Sequence, residues 1–216
     1  MRISELAERT GVPLATIKFY LREGMLMPGE AVTATRSEYG DEHVRRVALI
    51  RALSDVAALP LQRVKTVLGL VDSPTGDLFE ALGTAVAALP PYTDETPGPP
   101  AAAPDYPRAR AALEALGQVY DPRYAAVAQL ERALIGVEAA GIPLTPDRLQ
   151  AYGTHVRAMA EFDLSRMPGP DAGREEQLAY AVLGTALYEP VIAALRRLAH
   201  QDIAAGMLGR GAGGDT

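Results

Sequence analysis

A proline-rich segment near the middle of the chain sets the strongest limit on the fold. Residues 90–107, PPYTDETPGPPAAAPDYP, hold 7 of the 17 prolines in a protein of 216 residues. Proline donates no amide hydrogen bond and its ring clashes with the preceding helical turn, so this segment cannot continue a helix and favours an extended connector. The sequence therefore predicts two folded parts that are joined by a linker at residues 90–107.

The composition excludes several kinds of chemistry. There is no cysteine, which rules out disulfides, thiolate metal sites and thiol nucleophiles. The three histidines, at positions 43, 155 and 200, lack the spacing of metal ligands, so we expect neither a metal nor a cofactor. No signal peptide and no apolar run of about 20 residues is visible, so we expect a cytoplasmic protein without membrane contact.

The residues before the linker predict a winged helix-turn-helix domain at 1–73. Ser4 is a candidate N-cap for the first helix, Gly11 suits the turn after it, and Gly24 suits the end of the second helix. The predicted elements are helices at 3–9 and 13–23, a small β-hairpin within 25–39, and helices at 41–56 and 60–71.

The rest of the chain predicts helices only. A short helix within residues 74–89 precedes the linker, and an all-α domain follows it at 108–208, with a glycine-rich flexible tail at 209–216. The helices predicted beyond the linker lie at 108–119, 123–140, 146–165, 174–188 and 190–208. The expected fold class is thus mostly α, with the hairpin as its β component.

The second helix concentrates positive charge in a part of the chain that is mildly basic. Residues 1–71 carry a net charge of +2, whereas the remainder carries −8. Lys18 and Arg22 are four residues apart and share the outer side of the helix, where they can reach phosphate oxygens or guanine edges. An ordinary solvated helix face would also explain the two basic residues. The choice between this explanation and nucleic-acid binding therefore depends on the flanking residues.

The order of those flanking residues resembles the MerR family of transcription regulators. The matching stretches are Ile3-Ser4-Glu5-Leu6-Ala7, Thr10-Gly11-Val12, Ile17-Lys18-Phe19-Tyr20, Gly24-Met25-Leu26, and Tyr39 followed by Asp41-Glu42-His43-Val44. The resemblance covers residues 1–71. It implies a homodimer that binds and distorts double-stranded promoter DNA, with RNA polymerase as a further partner and an effector acting through the C-terminal part. The residues expected to contact DNA are Thr16, Lys18, Phe19, Tyr20, Arg22, Arg36 and Tyr39.

The chain departs from the family pattern at several points. Pro13 stands where the family usually has a capping serine or threonine, and the wing ends in Thr35-Arg36-Ser37-Glu38-Tyr39 instead of the family's signature. The family usually dimerises through a long helix, but here the candidate at residues 77–89 offers only about three and a half turns. We therefore expect the C-terminal helices to contribute a second dimer interface.

Two other classes of function are weighed against a regulator. An architectural, excisionase-like DNA-binding protein without an effector shares the winged motif, although about half of this chain lies beyond the linker. An enzyme is not expected, because the sequence has no nucleophile elbow, phosphate-binding loop or zinc-protease motif.

Five tyrosines in the C-terminal part are candidates for an effector pocket. Their rings and hydroxyl groups would suit an apolar or cationic small molecule, although tyrosines at helical spacing also serve as ordinary core residues. The five are Tyr120, Tyr124, Tyr152, Tyr180 and Tyr188. Glu131, Glu161 and Asp163 could pair with a cationic ligand, and solvated helix faces are the alternative explanation for them.

Overall fold

The structure, a computed structural model, describes residues 1–33, 36–72, 78–90 and 104–208. The described residues are mostly helical, with one small antiparallel sheet, as the sequence predicts. The chain divides into two units: Met1–Leu68 with Ala186–Thr216, and Gly69–Thr185.

The N-terminal elements follow the predicted order of helix, helix and hairpin. They are α1 (Ile3–Thr10), α2 (Leu14–Arg22), β1 (Glu30–Thr33), β2 (Arg36–Glu38), α3 (Asp41–Arg51), a π-helical turn (Ala52–Val56) and α4 (Leu61–Asp72). Gly11 and Gly24 have φ angles of +65° and +70°, which confirms that left-handed glycines end the first two helices. The core beneath these elements contains fully buried Leu6, Ile17 and Ile50.

The cap of α1 differs from the expected one. The N-cap is Arg2 and not Ser4, which lies inside the helix. The Glu5 carboxylate accepts a hydrogen bond from the Arg2 amide at 2.7 Å, so an acidic side chain in the first turn stabilises one of the otherwise unpaired amides. A carboxylate near the N-terminus of a helix also lies favourably in the helix dipole.

The hairpin is attached through a close backbone contact at its base. β1 and β2 pair antiparallel, with Glu30 opposite Glu38 and Ala31 opposite Ser37. A Cβ atom added at Gly29 would lie 2.7 Å from the Glu38 carbonyl oxygen and 3.0 Å from the Tyr39 ring. Gly29 therefore allows the strand to approach its neighbour, and a side chain there would separate them.

The helix predicted at 41–56 changes its geometry before it ends. The helical spacing of Val47, Ile50, Leu53 and Val56 predicts that they share the buried side of this helix. The first three are buried, but Val56 is 59% exposed. The cause is the π-helical turn at Ala52–Val56, which has more residues per turn and rotates the following side chain away from the apolar face. The expected inward position of Val56 is therefore wrong.

The second unit contains helices from both sides of the predicted linker. They are α5 (Leu78–Ala87), α6 (Pro107–Ala115), α7 (Ala125–Ala139), α8 (Pro146–Ser165) and the first part of α9 (Arg174–Met207). Most of the proline-rich segment, residues 91–103, and the tail at 209–216 lie outside the described residues, and α6 begins at Pro107.

Two tertiary contacts fix α5 and α6 on α7. Gln129 of α7 donates hydrogen bonds to the carbonyls of Val86 and Leu89, at 3.3 and 3.2 Å, and so caps the C-terminal end of α5. Glu131, buried on α7, accepts hydrogen bonds from the Ala109 amide at 2.8 Å and from Arg108 at 3.2 Å. Because Glu131 holds the first turn of α6, it is a structural residue and not a partner for a cationic ligand.

The last helix is continuous where the sequence predicts a break. α9 runs for 34 residues and contains Pro190 in its interior. The predicted break before Pro190 is wrong, because a helix that keeps its other hydrogen bonds can lose one bond and bend at a proline. By length and composition alone, residues Glu176–Met207 could also cross a membrane.

We predict that Gly29→Ala lowers the free energy of unfolding by about 1–3 kcal/mol, because the new methyl group overlaps the Glu38 carbonyl. The matched control is Gly69→Ala in α4, where nothing lies within 4 Å of the added Cβ and the change should stabilise by about 0.5–1 kcal/mol. Urea unfolding measures both. Equal effects of the two substitutions would contradict the close approach at Gly29.

Candidate nucleic-acid interface

The second helix has one buried side and one charged side. Ile17 and Tyr20 are buried, whereas Lys18 and Arg22 are exposed. Buried residues three positions apart fix the rotation of the helix, so the basic residues next to them in the sequence must point outward. The two basic side chains predicted from the sequence are therefore displayed together on the surface of α2.

Phe19 and Thr16 complete the outer surface of α2. Both are half-buried. The Arg22 guanidinium lies over the Phe19 ring, with its central carbon 5.3 Å from the ring centroid. This cation–π contact orients Arg22, which also forms an ion pair with Glu23 at 3.8 Å. The surface thus combines a lysine, an ordered arginine and one partly exposed aromatic ring.

Tyr20 is expected from the sequence to contact DNA, but the structure buries it. Only 7% of the residue is exposed, and its ring belongs to the core under α2. Burial raises the pKa of the Tyr20 hydroxyl, and the nearby Asp55 carboxylate adds to the rise while Arg51 opposes it. The hydroxyl therefore keeps its proton at neutral pH, and the ring serves to anchor the helix.

Of the two wing residues predicted to contact DNA, Tyr39 is buried and Arg36 is described only by its backbone. Tyr39 is 9% exposed and contacts His43 edge to face at a centroid distance of 5.0 Å, so its ring supports the base of the hairpin. The sequence predicts that Tyr39 contacts DNA, whereas the structure places its ring in the core at the base of the hairpin. The backbone of Arg36 lies in β2, but its side chain, like residues 34–35 at the tip, is outside the described part of the structure.

His43 joins the two ends of the wing, and the sequence analysis missed this role. Its Nδ1 accepts a hydrogen bond from the Gly40 amide at 3.0 Å, which leaves Nε2 as the donor to the Pro28 carbonyl at 3.3 Å. The residue is 1% exposed. The neutral imidazole therefore fastens the chain before β1 to the chain after β2, and its position three residues after Gly40 was the signal for capping.

A second missed residue fixes the segment between α2 and the wing. Arg46 of α3 donates a hydrogen bond from Nε to the Met25 carbonyl at 2.7 Å, and Met25 is buried. Together with the left-handed Gly24, this bond sets where the chain leaves α2 and heads for the hairpin. The charge on Arg46 is therefore used partly inside the protein, in a charge-assisted bond to a backbone oxygen.

The five tyrosines predicted for an effector pocket are spread over the C-terminal helices. The Tyr120 hydroxyl accepts a hydrogen bond from the Tyr106 amide at 3.2 Å, and its ring lies under the Arg110 guanidinium. Tyr124 is half-buried at the start of α7. The other three, Tyr152, Tyr180 and Tyr188, are 47%, 41% and 61% exposed.

A groove of about 310 Å³ lies between α6, α7 and the start of α8, and none of the five tyrosines lines it. Its walls are mainly apolar, and Arg108 and Glu138, paired at 2.7 Å, stand at its polar side. The residues that line it are Arg108, Ala111, Ala112, Ala115, Leu134, Glu138, Leu144, Pro146 and Leu149. Among the described residues, no group of three or more metal-ligating side chains is present.

Two helices joined at a glycine turn, a hairpin behind them and an exposed basic pair on the second helix define a winged helix-turn-helix DNA-binding protein. Residues 1–70 match the family described as MerR HTH family regulatory protein. The chain is also similar, over 100% of both chains, to a protein from Streptomyces coelicolor A3(2) that is described as a proposed transcriptional regulator, with 30% identity and a TM-score of 0.57. The chain belongs to the MerR family and is a DNA-binding transcription regulator. No protein with a curated description matches it.

We predict that His43→Ala lowers the free energy of unfolding by about 2–4 kcal/mol, because it leaves the Gly40 amide without its acceptor and opens a cavity under Tyr39. The control is His200→Ala, which removes an exposed histidine and should stay within about 0.5 kcal/mol of the parent. Urea unfolding followed by circular dichroism measures the difference. An unchanged His43→Ala midpoint would refute the proposed clamp.

Proposed function

We propose that the protein is a homodimeric regulator that places α2 and the wing of each protomer on promoter DNA and distorts it. The observation that carries this proposal is the exposure of Lys18 and Arg22 on a helix that Ile17 and Tyr20 hold in the core. Lys18 is the residue we assign to a phosphate or guanine contact, with Arg22 and Thr16 beside it. Phe19 offers its exposed edge, and Arg36 of the wing is proposed as a phosphate contact.

Few basic residues are available for this task, which favours recognition through DNA shape. The N-terminal part has a net charge of only +2, so non-specific attraction to phosphates is weak. Specificity then has to come from a small number of base contacts and from the cost of deforming particular sequences. A wing fixed at its base by His43 supplies the rigid second contact that bending a duplex requires.

Control by an effector is the part of the proposal that concerns the second unit. The groove between α6, α7 and α8 has the apolar walls and the few polar groups typical of sites for small molecules. The Arg108–Glu138 ion pair at its edge would interact with a polar group on such a molecule. A small-molecule effector in this groove, RNA polymerase as a partner and a cytoplasmic location complete the proposed function, without a metal or cofactor.

We predict that Lys18→Ala weakens binding to the protein's own promoter about 10- to 100-fold and lowers the salt dependence by about one unit per half-site. The control is Lys65→Ala, the chain's other lysine, which lies in α4 with its Nζ 3.9 Å from Glu23. Fluorescence anisotropy at several salt concentrations measures both variants. Equal losses for the two lysines would contradict the assignment of Lys18.

We also predict a two-fold symmetric footprint on the promoter. Two copies of α2 related by a dimer axis contact half-sites about 34–36 Å apart, or a multiple of that spacing. Hydroxyl-radical footprinting measures the symmetry, and gel mobility of phased fragments measures the bend. A single asymmetric footprint on straight DNA would refute both the dimer and the distortion.

A further inference from the structure

The second half of α9 carries an apolar stripe that nothing in the described structure covers. From residue 188 to residue 208 no residue is buried, although this stretch contains several large apolar side chains. Tyr188, Val191, Leu195 and Leu198 are 61%, 44%, 60% and 60% exposed. Their spacing of three, four and three residues puts them on one side of the helix, as in the seam of a helix pair.

Charge is excluded from this stripe. The charged residues between positions 188 and 198 are Glu189, Arg196 and Arg197, and at 3.6 residues per turn all three fall on the opposite side of α9. The positions that flank the stripe include Ala194 and Ala199, which are small enough to let another helix approach closely. The surface is therefore shaped for a helix and has no charge that burial would leave unpaired.

The C-terminal end of the helix expected to form the dimer seam is covered within its own chain. α5 has ten residues, a length of about 15 Å, and packs on α7. The residues buried at its C-terminal end are Ala85, Ala88 and Leu89. Gln129 donates hydrogen bonds to the carbonyls of Val86 and Leu89. A stable homodimer thus needs a further seam, and α9 is a long helix with an unpartnered apolar side.

We propose that α9 pairs antiparallel with α9 of a second copy of this chain, through Tyr188, Val191, Leu195 and Leu198. This interface deepens the homodimer of the proposed function and rests on it. In this arrangement Tyr188 lies opposite the partner's Leu198, and Val191 lies opposite the partner's Leu195. Each of the four residues meets another member of the stripe, so the surface is complementary to itself about a two-fold axis.

The pattern favours a helix partner over a membrane. A span needs about 20 consecutive apolar residues, whereas here the apolar run is interrupted by Glu189 and by two arginines directly after Leu195. Membrane binding is kept as an outcome of the test, because the length and composition of Glu176–Met207 would permit it.

The test compares two variants of the full-length protein that introduce glutamate on opposite sides of α9. Leu195→Glu puts a charge in the seam and should raise the dimer dissociation constant at least 100-fold. Arg197→Glu puts the same residue on the outer side and should leave that constant within about twofold. Sedimentation equilibrium measures association, and circular dichroism checks that both variants keep their helix content.

Cysteine trapping fixes the direction of pairing, since the chain has no cysteine of its own. A mixture of Val191→Cys and Leu195→Cys chains should give a disulfide between unlike chains under mild oxidation, in preference to either like pair. Preferential trapping of like pairs would overturn the antiparallel arrangement.

The outcomes separate the interface from the function. A Leu195→Glu protein that stays dimeric would overturn the α9 interface alone and leave the homodimer standing. A parent protein that is monomeric on DNA would overturn the homodimer itself. Flotation of the parent protein with phosphatidylglycerol vesicles, abolished by Leu195→Glu, would replace the helix partner by a membrane surface.

Discussion

The burial of Ile17 and Tyr20 beneath α2 is the constraint on which the proposed DNA-binding surface depends. Two anchored side chains three residues apart fix the rotation of the helix, so Lys18 and Arg22 point outward. The left-handed Gly11 and Gly24 set the two ends of the same helix. A basic helix positioned by apolar contacts stays rigid at any ionic strength, whereas its attraction to phosphates remains sensitive to salt.

Much of the N-terminal fold could be predicted because its signals are local. Gly11 and Gly24 mark helix ends through their own backbone preference, and the loss of helical period after Gly24 marks the hairpin. Tyr20 was misjudged as an exposed contact because a wheel of nine residues leaves its boundary positions ambiguous. Only the packing of α2 against other elements, α1 among them, decides which of two adjacent aromatics is buried.

The residues that sequence reasoning missed act through contacts distant in sequence. His43 reaches back 15 positions to Pro28, and Arg46 reaches back 21 positions to Met25. Neither bond produces a repeating pattern in the sequence, because each one satisfies a single backbone oxygen in the segment between α2 and β1. The predictions that Val56 is buried and that a helix ends before Pro190 were wrong for a different reason. Each assumed a regular helix, whereas Val56 lies in a π-helical turn and Pro190 lies inside a continuous helix.

The helices differ in how completely contacts within the chain satisfy them. Gln129 caps the C-terminal carbonyls of α5, and the buried Glu131 holds the first turn of α6, so these two helix ends are satisfied within one chain. α8 has one buried residue in twenty, Gly153, and the last turns of α9 have none. Isolated helices of this length are marginal in water unless an apolar face is packed. Among the described residues, the apolar end of α9 is therefore left uncovered, and in the proposed dimer the same surface of a second copy covers it.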